Sequence, residues 1–178
     1  MSRAPFPRTI AATPPGQTKV WRRIEAEHPP QARADYPDLL AMAESMLATR
    51  RKRFPDLVRR GQLDQADADA QLAAFEAIAA DWRWIVNGTG EPASLATLEA
   101  RQDALDASLD TIAAIAADQG RFSAELAKQA QLVIALRWHA ELGNHLALHR
   151  SARLTRELRA RAVQPHPSHE PKHERNAA

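Results

Sequence analysis

The sequence predicts an all-α protein: an αα-hairpin followed by two further long helices, built as an up-down helical bundle or as an elongated coiled-coil-like assembly. Three observations carry this reading. Apolar residues recur at three- and four-residue spacings over most of residues 35–163. The stretches are punctuated by helix-start residues and by glycines at their ends. Alanine is abundant between residues 66 and 140, which favours helix and close helix approach.

Residues 1–34 contain Pro5, Pro7, Pro14, Pro15, Pro29 and Pro30. Proline removes a backbone donor and fixes φ, so no long helix fits there. The expectation is a flexible arm with one short amphipathic helix around Lys19–Glu25. Val20, Trp21 and Ile24 would share its apolar face. An exposed Trp is costly unless it docks, so Trp21 and Ile24 are candidate interaction residues, toward the body or toward a partner.

The first long helix is expected at about 36–60. Asp35 is placed to cap it, with Pro37 in the first turn and Asp38 as a capping-box partner. Its stripe runs through Leu39, Leu40, Ala43, Met46, Leu47, Phe54, Leu57 and Val58, with a kink expected near Pro55 and a stop at Gly61. The second helix, at about 65–86, starts after Asp64 and carries Ala68, Leu72, Phe75, Ile78, Ala79, Trp82, Ile85 and Val86. The short connection makes the two antiparallel neighbours.

A third helix, at about 95–118, follows Ser94 as cap. Its stripe is Leu95, Leu98, Leu105, Leu109, Ile112, Ile115 and Ala116. Gly120 and Ser123 then offer a C-terminal stop and a new N-cap, and a final helix is expected over about 123–162. A helix unbroken through Gly120 is the alternative; it would form a rod of about 100 Å and need a partner chain. Polar Gln102, Gln119, Arg137 and Asn144 at heptad positions argue against that rod. Residues 164–178, rich in His and Pro, read as a disordered tail.

Composition narrows the function classes. The 178 residues include no Cys, which leaves no disulfide and no thiolate ligand or nucleophile. No apolar run is long enough for a membrane span, and Met1–Pro5 lacks the apolar core of a signal peptide. A cytoplasmic location is therefore expected. The net charge of +2 conceals an asymmetry. Residues 62–118 carry Arg83 and Arg101 against eleven acids, whereas residues 119–178 carry ten Lys/Arg against five acids. Such a split can steer partners or fix an arrangement of helices.

The run Arg51-Lys52-Arg53-Phe54-Pro55-Asp56-Leu57-Val58, then Gly61-Gln62-Leu63, Ala66-Asp67-Ala68, Phe75-Glu76-Ala77-Ile78 and Asp81-Trp82-Arg83, resembles a helical hairpin of small uncharacterised proteins from bacterial prophages. The resemblance covers residues 50–83. It implies a phage or mobile-element origin and brings no catalytic residue, cofactor or activity with it.

No catalytic motif is present. Asn87-Gly88-Thr89-Gly90 follows no strand and precedes no Lys-Ser/Thr, so it is not a phosphate loop. No G-x-S-x-G elbow occurs. The carboxylates of 62–118 are expected mostly at exposed helical positions, with no pair marked for acid–base work. His145 and His149, four apart, share a helix face, yet a metal site would need ligands from another helix, so none is assigned. No cofactor is expected. The tail residues His166, His169 and His173 could scavenge metal without defining a site.

Two basic clusters remain as binding candidates. Arg50, Arg51, Lys52 and Arg53 lie on the first helix; Arg150, Arg153, Arg156, Arg159 and Arg161 crowd the last, together with Leu154 and Leu158 as apolar contacts. The leading expectation is a non-enzymatic protein–protein interaction or assembly protein that associates with itself or with another protein. The first alternative is a nucleic-acid accessory protein using the basic final helix. The second is an acidic mimic of nucleic acid, in which residues 65–118 occupy the basic groove of a host defence enzyme.

Overall fold

The computed structural model describes residues 16–163. Five helices form: α1 (Tyr36–Arg59), α2 (Gln65–Asn87), α3 (Leu98–Asp118), α4 (Ala124–His139) and α5 (Leu142–Val163). A two-stranded antiparallel sheet, β1 (Thr18–Trp21) and β2 (Ile24–Glu27), precedes them. The protein is thus all-α in class. Helix α1 packs on α2 and α4, and α3 packs on the same two helices, closing a four-helix ring. Helix α5 leaves the end of α4 and lies outside that ring.

The core is one continuous cluster that joins Leu39, Leu47, Phe75, Ile78, Leu105, Leu109, Val133, Ile134 and Leu136 with Trp21 and Ile24. Phe75, Leu39 and Leu109 are wholly buried; each large apolar side chain so buried stabilises the fold by roughly 1.5–3 kcal/mol. Small residues fill the closest approaches, with Ala43, Ala79, Ala130 and Ala135 fully buried.

The turns follow their punctuation. At Gly61 (φ +68) the Gln62 N–H donates to the Leu57 carbonyl and the Gly61 N–H to the Val58 carbonyl. This is the Schellman pattern, with glycine in the left-handed region. Gly120 (φ +68) repeats it: Arg121 N–H reaches Ala116 O and Gly120 N–H reaches Ala117 O. Ser123 then caps α4 by accepting the Leu126 N–H at 3.1 Å. The chain therefore turns at Gly120, and the unbroken rod does not form. Asp64 caps α2 through the Ala66 N–H. Asp35 precedes α1 but makes no side-chain cap, and a short 3-10 turn, Leu95–Thr97, leads into α3.

Three expectations need correction. The segment around Trp21 is a β-hairpin, not an amphipathic helix. Trp21 pairs with Ile24 and both are buried, while Val20 points to solvent. The turn residues Arg22 and Arg23 have φ of 45° and 71°, the left-handed conformation a two-residue hairpin demands. Neither is Gly or Asn, and the Arg22 side chain is held by Asp110 of α3 through contacts of 2.5 and 3.1 Å. Tertiary pairing thus supports a turn that local chemistry does not advertise.

Second, residues 16–34 are not a free arm, since the hairpin and the 3-10 turn Gln31–Ala34 pack on the body; residues 1–15 lie outside the described residues, as does the expected tail at 164–178. Third, the final helix is two helices. Ala140 and Glu141 separate them, the Asn144 side chain donates to the Trp138 carbonyl at 2.9 Å, and Gln102 donates to the Ala140 carbonyl at 2.6 Å. Side chains satisfy the carbonyls that a broken helix leaves open.

Candidate functional site

The site is built around Asp81, a carboxylate on the buried face of α2. Asp81 falls between Ile78 and Ile85 on the apolar stripe and is only 3% exposed. Arg101 falls likewise between Leu98 and Leu105 on α3 and is equally buried. The two form an ion pair through Arg101 Nη1 and Asp81 Oδ2. The remaining guanidinium donors are used as well: Nη2 donates to the Ser94 carbonyl at 2.7 Å and Nε to Thr97 Oγ1 at 3.0 Å. The Ala93 N–H donates to Asp81 Oδ1 at 2.6 Å. A buried charge pair persists only when its other valences are satisfied; here they staple the connection between α2 and α3 onto the bundle.

Helix α5 brings two imidazoles to the same carboxylate. His149 Nε2 lies 3.3 Å and His145 Nδ1 3.8 Å from Asp81 Oδ2. Their rings are 4.1 Å apart, centroid to centroid. His149 also stacks on Trp84 at 5.1 Å, and the Arg156 guanidinium lies 4.2 Å from the Trp84 ring centroid. Arg156 further donates to the Ile85 carbonyl. Gly88 ends α2 beside it; a Cβ there would come within 3.1 Å of Arg156 Nε.

The electrostatics follow from burial. Desolvation would raise Asp81, but the His149 hydrogen bond, the Arg101 charge and the Ala93 N–H outweigh it and hold the carboxyl below its usual range. His145 is pushed down to about 4, first by burial and then by its neighbour His149, against the pull of Asp81. It is therefore neutral at ordinary pH.

An open cleft of about 600 Å³ lies over these histidines. Pro92, Ala93 and Leu95 form one wall; Leu146, Arg150, Arg153 and Leu154 of α5 form the other. A second groove, about 480 Å³, runs along α5 between Tyr36, the end of α2 and Arg159.

The two basic clusters meet different fates. Arg50 turns into the bundle: it donates to the Met46 carbonyl and to Ser108 Oγ and lies 3.7 Å over the Phe75 ring. Burial, reinforced by Arg53, lowers it to about 10. Arg51 pairs with Glu76, while Lys52 and Arg53 are exposed. On α5, Arg156 is drawn onto Trp84, whereas Arg150, Arg153, Arg159 and Arg161 are exposed, Arg153 with its guanidinium 5.9 Å from the same ring; Leu154 and Leu158 are exposed too. Trp21 and Ile24 dock on this chain's own body and offer no surface to a partner.

The carboxylates of 62–118 are mostly exposed, as expected, and Asp81 is the buried exception, held by Arg101 and the Ala93 N–H. Its position on the Ile78–Trp82–Ile85 face was the available signal. No family model, no curated protein and no solved structure matches the chain.

Proposed function

We propose that this chain is an assembly protein that associates with a second copy of itself through the outer half of α5. One observation carries the reading. In the outer half of α5 Leu154 and Leu158 are about half exposed, at 54% and 56%, and among residues 150–163 only Ala152 and Arg156 are half-buried, on a helix whose buried residues are confined to His145, Leu148 and His149. Two leucines one turn apart form a seam that a second helix can cover.

Charge favours the second copy as the occupant. Helix α5 carries five arginines against Glu157, whereas residues 62–118 carry a net charge of −9. A basic helix and an acidic helical pair on the same chain complement each other between copies. The resemblance of residues 50–83 to a prophage hairpin supports a mobile-element setting, which the neighbouring genes would test. No described helix is long and apolar enough to cross a membrane.

Light scattering at tens of micromolar tests the proposal. The expected result is a dimer or larger species that Leu154→Asp with Leu158→Asp reduces to a monomer of unchanged helix content. A strictly monomeric parent sinks it. Four exposed arginines on one helix also favour a second reading, nucleic-acid binding. It predicts a steeply salt-dependent mobility shift that Arg153→Ala with Arg159→Ala weakens; no shift at low salt excludes it.

A further inference from the structure

We infer that Asp81, His145 and His149 form a binding site for a first-row divalent transition ion such as Zn²⁺ or Co²⁺, with its open coordination position facing the cleft between α5 and the α2–α3 connection. Three ligand atoms, one from each residue, lie within 4.8 Å of one another. Of the separations from Asp81 Oδ2 to the two ring nitrogens, the 3.3 Å to His149 matches a tetrahedral edge and the 3.8 Å to His145 is somewhat longer. Ligands at about 2.0–2.1 Å from a tetrahedral ion stand roughly 3.3 Å apart. A small rotation of the His145 ring closes the longer edge.

The architecture matches what such an ion requires. His145 and His149 are one helical turn apart, so α5 presents both on one face. The third ligand comes from α2, a different helix. Two imidazoles and one carboxylate leave a position open, and the cleft reaches His145 and His149 from solvent. Outer partners that orient the ligands are already present: Arg101 and the Ala93 N–H fix the Asp81 carboxylate, and Trp84 stacks on His149.

Arg101 also decides which ion fits. Its positive charge beside the carboxylate opposes cation binding, so a hard ion that relies on oxygen ligands alone gains little. An ion with strong affinity for imidazole gains two such bonds, which selects zinc, cobalt or nickel over magnesium or calcium. The exposed Arg150 and Arg153 at the cleft wall, against the one carboxylate Glu157, favour an anion or hydroxide as the fourth ligand.

The test uses the full-length chain with His166, His169 and His173 changed to Ala, which removes the tail imidazoles. After chelator treatment it is titrated with Co²⁺ and followed by visible absorption. One equivalent should produce the bands of a low-symmetry site, and Zn²⁺ should displace them and raise the thermal midpoint. His145→Ala should abolish the bands. His149→Gln, whose amide can still donate to Asp81, should abolish them while the chain stays folded with unchanged helix content. An unsubstituted site gives a second readout: Zn²⁺ should move the imidazole NMR signals of His145 and His149 and spare His139. A parent without bands, a His149→Gln variant that binds like the parent, or unmoved His145 and His149 signals overturns the assignment.

Discussion

Arg50 and Arg101 began as members of ordinary basic or mixed-charge stretches, as did Arg153 and Arg159, yet the fold treats the two groups oppositely. The first two are consumed. Arg101 is buried against Asp81, and Arg50 spans from Met46 to Ser108 across the Phe75 ring. The second two are exposed, Arg153 with its guanidinium 5.9 Å from the Trp84 ring, on a helix whose buried residues lie in its first turns and whose outer half is tied to the body through Arg156. The difference lies in what surrounds each position on its helix. Arg101 and Arg50 have apolar neighbours three and four residues away that must face the core; Arg159 has none that the bundle covers. A count of charges therefore says little about a binding surface until each charge is placed on its helical face.

The largest expected effect comes from breaking the buried member. Arg101→Met leaves Asp81 desolvated without its partner and should cost about 3–5 kcal/mol, read as a lower urea midpoint. Acid attacks the same network. His145 is held near 4 in the folded chain against an ordinary value of 6.5, so the unfolded chain takes up the proton first. Its contribution is complete above about 6.5, is lost as pH falls toward 4, and is flat below. The slope approaches about 1.4 kcal/mol per pH unit. His139, also lowered by burial first, adds in the same direction. Stability measured from pH 7 to 4 should show this decline, and His145→Gln should make it shallower, leaving the part that His139 contributes.

Arg50→Ala should cost less, on the order of 1–3 kcal/mol, because it removes two hydrogen bonds and leaves Ser108 and a carbonyl to find others. Arg153→Ala and Arg159→Ala should each change stability by less than about 0.5 kcal/mol. Any larger loss at those two positions, by chemical denaturation, would mean that α5 is more tightly docked than its exposure indicates.

Much of the fold was legible because local chemistry and periodicity agreed. Gly61, Gly120 and Ser123 make the turns that their residue types suggest, and the stripes through Phe75 and Leu109 are the core. The β-hairpin was not legible, since its turn uses two arginines where Asn-Gly would signal it and depends on Asp110, 87 and 88 residues away from Arg23 and Arg22 in the chain. The break after α4 left a trace in Gly143 and Asn144, but the decisive contact is the Asn144 amide on the Trp138 carbonyl. At the site, the pairing of His145 with His149 was visible from spacing alone. Their meeting with Asp81 depends on how α5 packs, and spacing does not encode that.

Helix α5 is divided: Asp81 fixes its inner half, and the outer half is the part that the proposed second copy would cover. Hydrogen exchange measured at low and high protein concentration tests it directly. The predicted result is amide protection that rises with concentration across residues 151–163 and stays constant across 145–149. Protection of the outer half that does not depend on concentration would contradict it.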